Sequence, residues 1–222
     1  MNRKVLRNLI LLFALIVLFL VIYWIKNQAG INLSDSFSLS DYGPFKYLRK
    51  NQIISMQNPG VIFDDSFDSL RLFDNWFISW MQEEGRVTKG YDSNGGNNSR
   101  CLLIRSSSEK SWVCAYYWFV EVHKGDRFNF KGVAKLKGEK VSAYVSMAAY
   151  DKDKKAINWN YIQEKVGKKD LWANFDRSFI ISDDGINYIR FRLSGSGVGE
   201  FRFDGICFRK THETLNSGES IK

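Results

Sequence analysis

Three segments of this chain carry aromatic and basic side chains opposite an apolar alternation. In "KVSAYVSMAAY", Ala143, Val145 and Met147 alternate with Tyr144, Ser146 and Tyr150. In "NYIRFRLSG", Ile189, Phe191 and Leu193 alternate with Tyr188, Arg190 and Arg192. In "NWNYIQ", Trp159 and Tyr161 share a face, with Asn158 and Asn160 beside them. Successive strand residues point to opposite faces, so each segment offers one side to a core and a second side rich in rings. Flat, rigid rings stack on the apolar faces of sugars with little entropy to lose, and nearby polar groups fix orientation. Tyr144, Tyr150, Trp159, Tyr161, Tyr188, Arg190 and Arg192 are therefore the candidate ligand-binding residues, provided that their strands converge. The alternative is an aromatic surface that covers the domain or meets a partner protein. Lys131 and Lys135, read on the same outer surface as Arg190 and Arg192, would favour an acidic or phosphate-bearing glycan.

Residue types that could break bonds are sparse. Glycoside hydrolysis needs two carboxylates across a sugar ring. Glu83 and Glu84 are adjacent, so on a strand they point to opposite faces, and no E-x-D-x-x-E-like strand exists. A nucleophilic triad needs a His near a Ser or Cys. The two histidines, His123 and His212, fall in a "VHKGD" turn and in the C-terminal tail. "GSGVG" is neither a nucleophile elbow nor a phosphate-binding loop and reads as a hairpin turn. "DKDKKA" starts like a calcium loop, but Ala156 stands where Gly is needed and Ile162 where Glu is needed. No Cys/His spacing fits zinc. The chain is expected not to be an enzyme.

The elements that must position the rings are short strands. From Asn58-Pro59-Gly60 onward, about ten strand-like runs recur with turn signals between them and no amphipathic helix of note. That pattern predicts an all-β fold, a sandwich or jelly roll, over residues 59–210. One run is irregular. In "GEFRFDGICFRK", Phe201 and Phe203 share one parity while Ile206 and Phe208 have the other. A two-residue turn at Asp204-Gly205 would explain it, and so would a bulge in one continuous strand.

The N-terminal residues read differently. Leu9 to Ile25 is an uncharged, apolar run of 17 residues. As a helix it would span about 26 Å, close to a bilayer's hydrocarbon core. Arg3, Lys4 and Arg7 precede it, and Tyr23 and Trp24 sit at its far end. This predicts an uncleaved, single-pass transmembrane helix within residues 1–29, with the N-terminus cytoplasmic and the rest extracytoplasmic. A cleavable signal would have a shorter apolar run and a small-residue cleavage site, which "NQA" does not supply. Residues 30–58 read as a polar spacer and 211–222 as a disordered tail. Beyond residue 30 the chain has 28 basic and 24 acidic residues, a net of +4, which demands no nucleic-acid partner. The cysteines are Cys101, Cys114 and Cys207. Cys101 and Cys114, on strands read as neighbours, could pair in an oxidising compartment, or all three could be small buried residues.

The ordered series of segments resembles the carbohydrate-binding module families appended to xylanases and cellulases, galactose-binding-like jelly rolls. The segments are "SFDS" with Trp76, "NNSRCLLI", "FVEVHKGDRFNFKGVAKLKG", "SMAAYDKDKK", "LWANFDRSFII" and "GEFRFDGICF", in that order over roughly residues 60–210. The resemblance implies a non-catalytic module for a cell-wall or secreted polysaccharide. It favours a bulge over a hairpin in the last segment. It also implies a structural Ca²⁺ between the first and last strands, with Asp64, Asp65 and Asp68 in the first and Asp204 in the last. The competing reading is an accessory subunit of a membrane complex whose exported sandwich docks on partner proteins.

Overall fold

The computed structural model describes residues 53–67, 75–96 and 99–211. The apolar run 9–25, Asp68, His212 and the tail from 212 onward lie outside them. Among the described residues the chain forms fourteen strands, numbered β1 to β14 in chain order, and no helix. They make two sheets of seven strands each.

In the first sheet, β10 (Ala156–Val166) pairs with β9 (Ser142–Tyr150), and β9 with β13 (Tyr188–Ser196). The other edge of β13 pairs with β6 (Trp112–Tyr116) and then β7 (Phe119–Glu121). Beyond these lie β3 (Trp76–Met81), on β6, and β1 (Ile53–Ile54), on β7. β1 falls inside the segment read as spacer. In the second sheet, β8 (Arg127–Lys137) and β14 (Gly199–Thr211) pair along most of their length. β14 pairs on its other edge with β5 (Cys101–Ser106) and β2 (Gly60–Asp65). β4 (Val87–Asp92) extends β5, while β12 (Ala173–Ile180) and β11 (Lys168–Lys169) extend β8.

The apolar faces meet between the sheets. Ile189, Phe191 and Leu193 of β13, with Val145 and Met147 of β9, pack in one core with Phe128 and Phe130 of β8 and four residues of β14. Phe63 stacks on Tyr116 across the layers at 4.1 Å, and Phe191 meets Trp76 edge-on at 5.7 Å. Such ring pairs add about 0.5–1.5 kcal/mol each beyond the area they bury.

β14 is one continuous strand, as the bulge reading requires. Its register on β8 steps from Asp204↔Val133 to Cys207↔Lys131, three residues against two. The extra residue restores the core face, so Phe201, Phe203, Ile206 and Phe208 are all fully buried. Gly205 takes φ of 55° there. At the same point β14 changes neighbour from β5 to β2.

The cysteine expectation needs correcting. Cys101 lies in the second sheet and Cys114 in the first, not on neighbouring strands of one sheet, and no disulfide joins them. All three cysteines are buried. Burial pushes the Cys101 thiol up to about 12, which leaves it protonated and inert.

A Cβ added at Gly205 would meet nothing within 4 Å, so only the backbone resists substitution. Gly205→Val should destabilise the protein by about 1–2 kcal/mol, because a β-branched residue resists positive φ. Gly205→Asn should stay near wild type, since Asn tolerates that region. Thermal melts of the two variants side by side check the bulge, and equal melting temperatures would contradict it.

Candidate functional site

A cleft of about 760 Å³ opens on the outer face of the first sheet. Its floor follows from the strand register. Arg192 sits opposite Ser146 on one side and Ala115 on the other, and Ser194 sits between Tyr144 and Val113. The polar parity of β9 and β13 therefore forms one continuous surface, as the alternation predicted.

The walls come from two irregular strands. In β10, the register runs from Asn158↔Ala149 to Ile162↔Met147, four residues against two. The surplus backbone rises as a hump that carries Trp159, 60% exposed, to the cleft. Arg192 donates from Nη1 to the Trp159 carbonyl at 2.6 Å, and its guanidinium lies 5.4 Å from the centre of that indole. Tyr150 meets the same indole edge-on at 6.0 Å. At the opposite edge, β3 has one residue more than β6 between Ile78 and Trp80. Trp76, Ile78 and Trp80 share a parity in the sequence, but the bulge breaks it. Trp76 is 1% exposed in the core, whereas Trp80 is 51% exposed at the cleft. Four inter-strand intervals separate β10 from β3, roughly 19 Å.

Arg190 fixes the floor. It donates from Nε to the Tyr116 carbonyl (2.7 Å) and from Nη2 to the Tyr117 carbonyl (2.8 Å), where β6 gives way to β7. Its guanidinium lies 4.9 Å from the Phe77 ring centre and 4.7 Å from that of Phe119. Burial pushes the pKa of both arginines down and that of the Tyr150 phenol up; the two arginines oppose the rise at Tyr150. Arginine still remains charged at neutral pH, and the phenol remains a neutral donor.

Of the seven candidate ligand-binding residues, Tyr144, Tyr150, Trp159, Arg190 and Arg192 line the cleft. Tyr161 and Tyr188 do not. The β10 irregularity separates Tyr161 from Trp159, so they do not share a face. The Tyr161 ring packs against the core, and its hydroxyl accepts from the Ser182 amide at 3.0 Å. Tyr188 packs at the end of its strand against Phe119 at 6.3 Å. The basic surface also needs correcting. Arg190 and Arg192 are buried at 7% and 8% exposure, and Lys131 and Lys135 belong to β8 in the other sheet. Asn160, read beside Trp159, also lines the cleft, and so do Trp80, Gln163, Ser194 and Ser196, which were not among the candidates and add groups able to bond hydroxyls.

The aspartates do different work. Asp64 is exposed, and Asp68 lies outside the described residues. Asp65 is buried and its Oδ2 accepts from Trp76 Nε1 at 2.7 Å. Asp204 turns toward the 92–100 loop. Its Oδ2 accepts from the Gly96 amide (2.8 Å) and the Ser99 hydroxyl (2.7 Å), and its Oδ1 accepts from the Gly205 amide (2.7 Å). A Cβ at Gly95 would stand 2.7 Å from the Ser99 carbonyl oxygen and 2.8 Å from Asp204 Oδ2, so this close approach needs glycine. Among the described residues no three His, Cys, Asp or Glu gather as a metal cluster. The donors on Asp204 make it a hydrogen-bonded clamp between β14 and the loop that precedes β5.

No family model matches the sequence, and no curated protein matches it. Solved structures do resemble the fold. One is the enzymatically active domain of tailspike protein 4 of bacteriophage CBA120, with a TM-score of 0.53 at 13% identity over 66% of this chain and 20% of that one. Another contains the CBM22-1 and GH10 modules of the Clostridium thermocellum endo-1,4-β-D-xylanase 10B complexed with xylohexaose. It matches with a TM-score of 0.50 at 15% identity over 71% of this chain and 29% of that one. The CBM22-1 xylan-binding domain of Paenibacillus barcinonensis Xyn10C matches with a TM-score of 0.48 at 14% identity over 70% of this chain and 97% of its own. The chain spans less than a third of the first two. At these identities the likeness is one of fold, and it agrees with the resemblance read from the ordered segments. The neighbours include an enzyme domain and binding modules, and fold does not choose between them.

Asp204→Asn should lower stability by about 1–3 kcal/mol by leaving a buried N–H facing an amide donor. For a hydrogen-bonded clamp that loss is the same with and without a chelator. A chelator-induced fall in melting temperature that wild type shows and Asp204→Asn lacks would instead point to calcium.

Proposed function

We propose that the chain is a non-catalytic binding protein whose β-sandwich holds a polysaccharide in the cleft of the first sheet. The observation that carries this reading is the pair of exposed indoles, Trp80 and Trp159, at opposite edges of a floor lined with polar groups. Aromatic walls with a few convergent hydrogen-bonding groups are what a sugar chain requires. The spacing of the walls suits a chain lying across the strands.

The cleft lining supports binding without bond cleavage. None of the residues lining it is Asp or Glu, so the acid/base pair of a glycosidase has no members there. The xylanase 10B structure, similar in fold, contains a CBM22-1 module and is complexed with xylohexaose, which supports a cell-wall or secreted polysaccharide as the ligand class. The apolar run from Leu9 to Ile25 would tether the sandwich to the outer surface of a membrane, close to such a glycan. A calcium ion between the first and last strands is a separate proposal, decided by the chelation comparison above.

A glycan array probed with the full chain in detergent tests the reading. Trp159→Ala and Trp80→Ala should each weaken binding about tenfold, or about 1.4 kcal/mol. Tyr188→Ala, outside the cleft, should leave it unchanged. Binding to no glycan, together with recovery in a stoichiometric membrane complex, would replace this reading with that of an accessory subunit.

A further inference from the structure

Arg190 and Arg192 are buried, and a guanidinium taken out of water costs several kcal/mol unless it is compensated. Buried charges are ordinarily paired with an opposite charge. Neither arginine makes an ion pair among the described residues, and no carboxylate lines the cleft. Their partners are neutral: three backbone carbonyls, the Tyr150 phenol and the faces of Phe77, Phe119 and Trp159. Carbonyls and ring faces satisfy donors without cancelling charge. The floor therefore presents two positive charges about 7 Å apart along β13 with no counter-charge.

The two arginines differ in what they have left to offer. Arg190 commits Nε and Nη2 to carbonyls and lies between two rings. Arg192 commits only Nη1, while its Nε and Nη2 make no hydrogen bond among the described residues. Those two nitrogens form the edge of the guanidinium that matches a carboxylate or sulfate bidentately. The Trp159 indole, 60% exposed, is beside it, its ring centre 5.4 Å from the same guanidinium.

We propose, on the basis of the glycan-binding reading above, that the cleft selects glycans bearing an anionic group. An oxyanion on the sugar seats on Arg192 while a sugar ring stacks on Trp159. The ligand supplies the counter-charge that the fold withholds, in a partly desolvated site where charge-assisted bonds are strong. The oxyanion is a uronic acid carboxylate or a sulfate ester, and the test separates the two.

The full chain, purified in detergent, is titrated calorimetrically with polygalacturonate, dextran sulfate and neutral xylan at several salt concentrations. One of the anionic polymers should bind at least about tenfold tighter than xylan, and the preference should shrink as salt rises. Whichever polymer does so identifies the anion. Arg192→Lys, which keeps the charge but loses the fork, should weaken that polymer about fivefold or more, and by a clearly larger factor than it weakens xylan. Ser194→Asp places a carboxylate two positions along the same face and should abolish the preference, which keeps the test intact if Arg192→Lys does not fold. Lys131→Gln with Lys135→Gln, on the other sheet, should leave the preference unchanged. The proposal is overturned if xylan binds as tightly as both anionic polymers, if Ser194→Asp keeps the preference, or if the lysine pair removes it. The first of these outcomes leaves the glycan-binding reading standing. Binding to none of the three polymers overturns the proposal, while the glycan array above decides the glycan-binding reading itself.

Discussion

The outer face of the first sheet is organised by two guanidinium groups that are buried with no carboxylate beside them among the described residues. Every N–H they present must find an acceptor or remain accessible to a ligand, and the acceptors they find are main-chain carbonyls. Regular strands already use their carbonyls in the ladder, so the acceptors come from where the ladder is interrupted. Arg190 takes the carbonyls of Tyr116 and Tyr117 at the junction of β6 and β7. Arg192 takes that of Trp159 on the β10 hump. The irregular backbone and the buried cations thus stabilise one another, and together they set the height and position of the cleft wall.

Three register shifts do most of the shaping. In β14, one added residue at Asp204-Gly205 keeps a long strand facing the core while it passes from β5 to β2. In β3, one added residue sends Trp80 outward after Trp76 has gone inward. In β10, two added residues lift Trp159 away from the plane of the sheet. The first serves packing and the other two supply the exposed indoles. Bulges commonly re-aim side chains near functional sites, at the cost of local ladder hydrogen bonds. The Asp204 clamp shows the same economy: the residue that enters the β14 bulge also holds Gly96 and Ser99 of the loop between β4 and β5.

Much of this architecture was legible because strand alternation reports burial directly. The polar parity of β9 and β13 identified Tyr144, Tyr150, Arg190 and Arg192, and the parity slip in "GEFRFDGICFRK" located a real bulge. The failures have a common origin. Alternation assigns a side chain to a side of its own sheet, not to a particular sheet, so Lys131 and Lys135 were grouped with arginines on the opposite layer. Neither "NWFISW" nor "NWNYIQ" contains a glycine or proline to mark its bulge, so the pattern runs on without a visible break. Trp80 therefore did not stand out as a candidate ligand-binding residue, and Tyr161 was grouped with Trp159. The burial of two arginines was unreadable for a different reason: charged residues are mostly exposed, and these are covered only when the fold sets Phe77 and Phe119 beside Arg190 and the β10 hump beside Arg192.

The central claim is that a ligand lies between Trp80 and Trp159 on the outer face of the first sheet. The most direct measurement is the pair of indole N–H resonances in a heteronuclear spectrum of the full chain as a bound oligosaccharide is titrated. The account predicts that the signals of Trp80 and Trp159 move together and saturate at one affinity, while that of buried Trp76, outside the cleft, moves little. Saturable binding that leaves both exposed indoles in place would contradict it and put the binding surface elsewhere on the molecule.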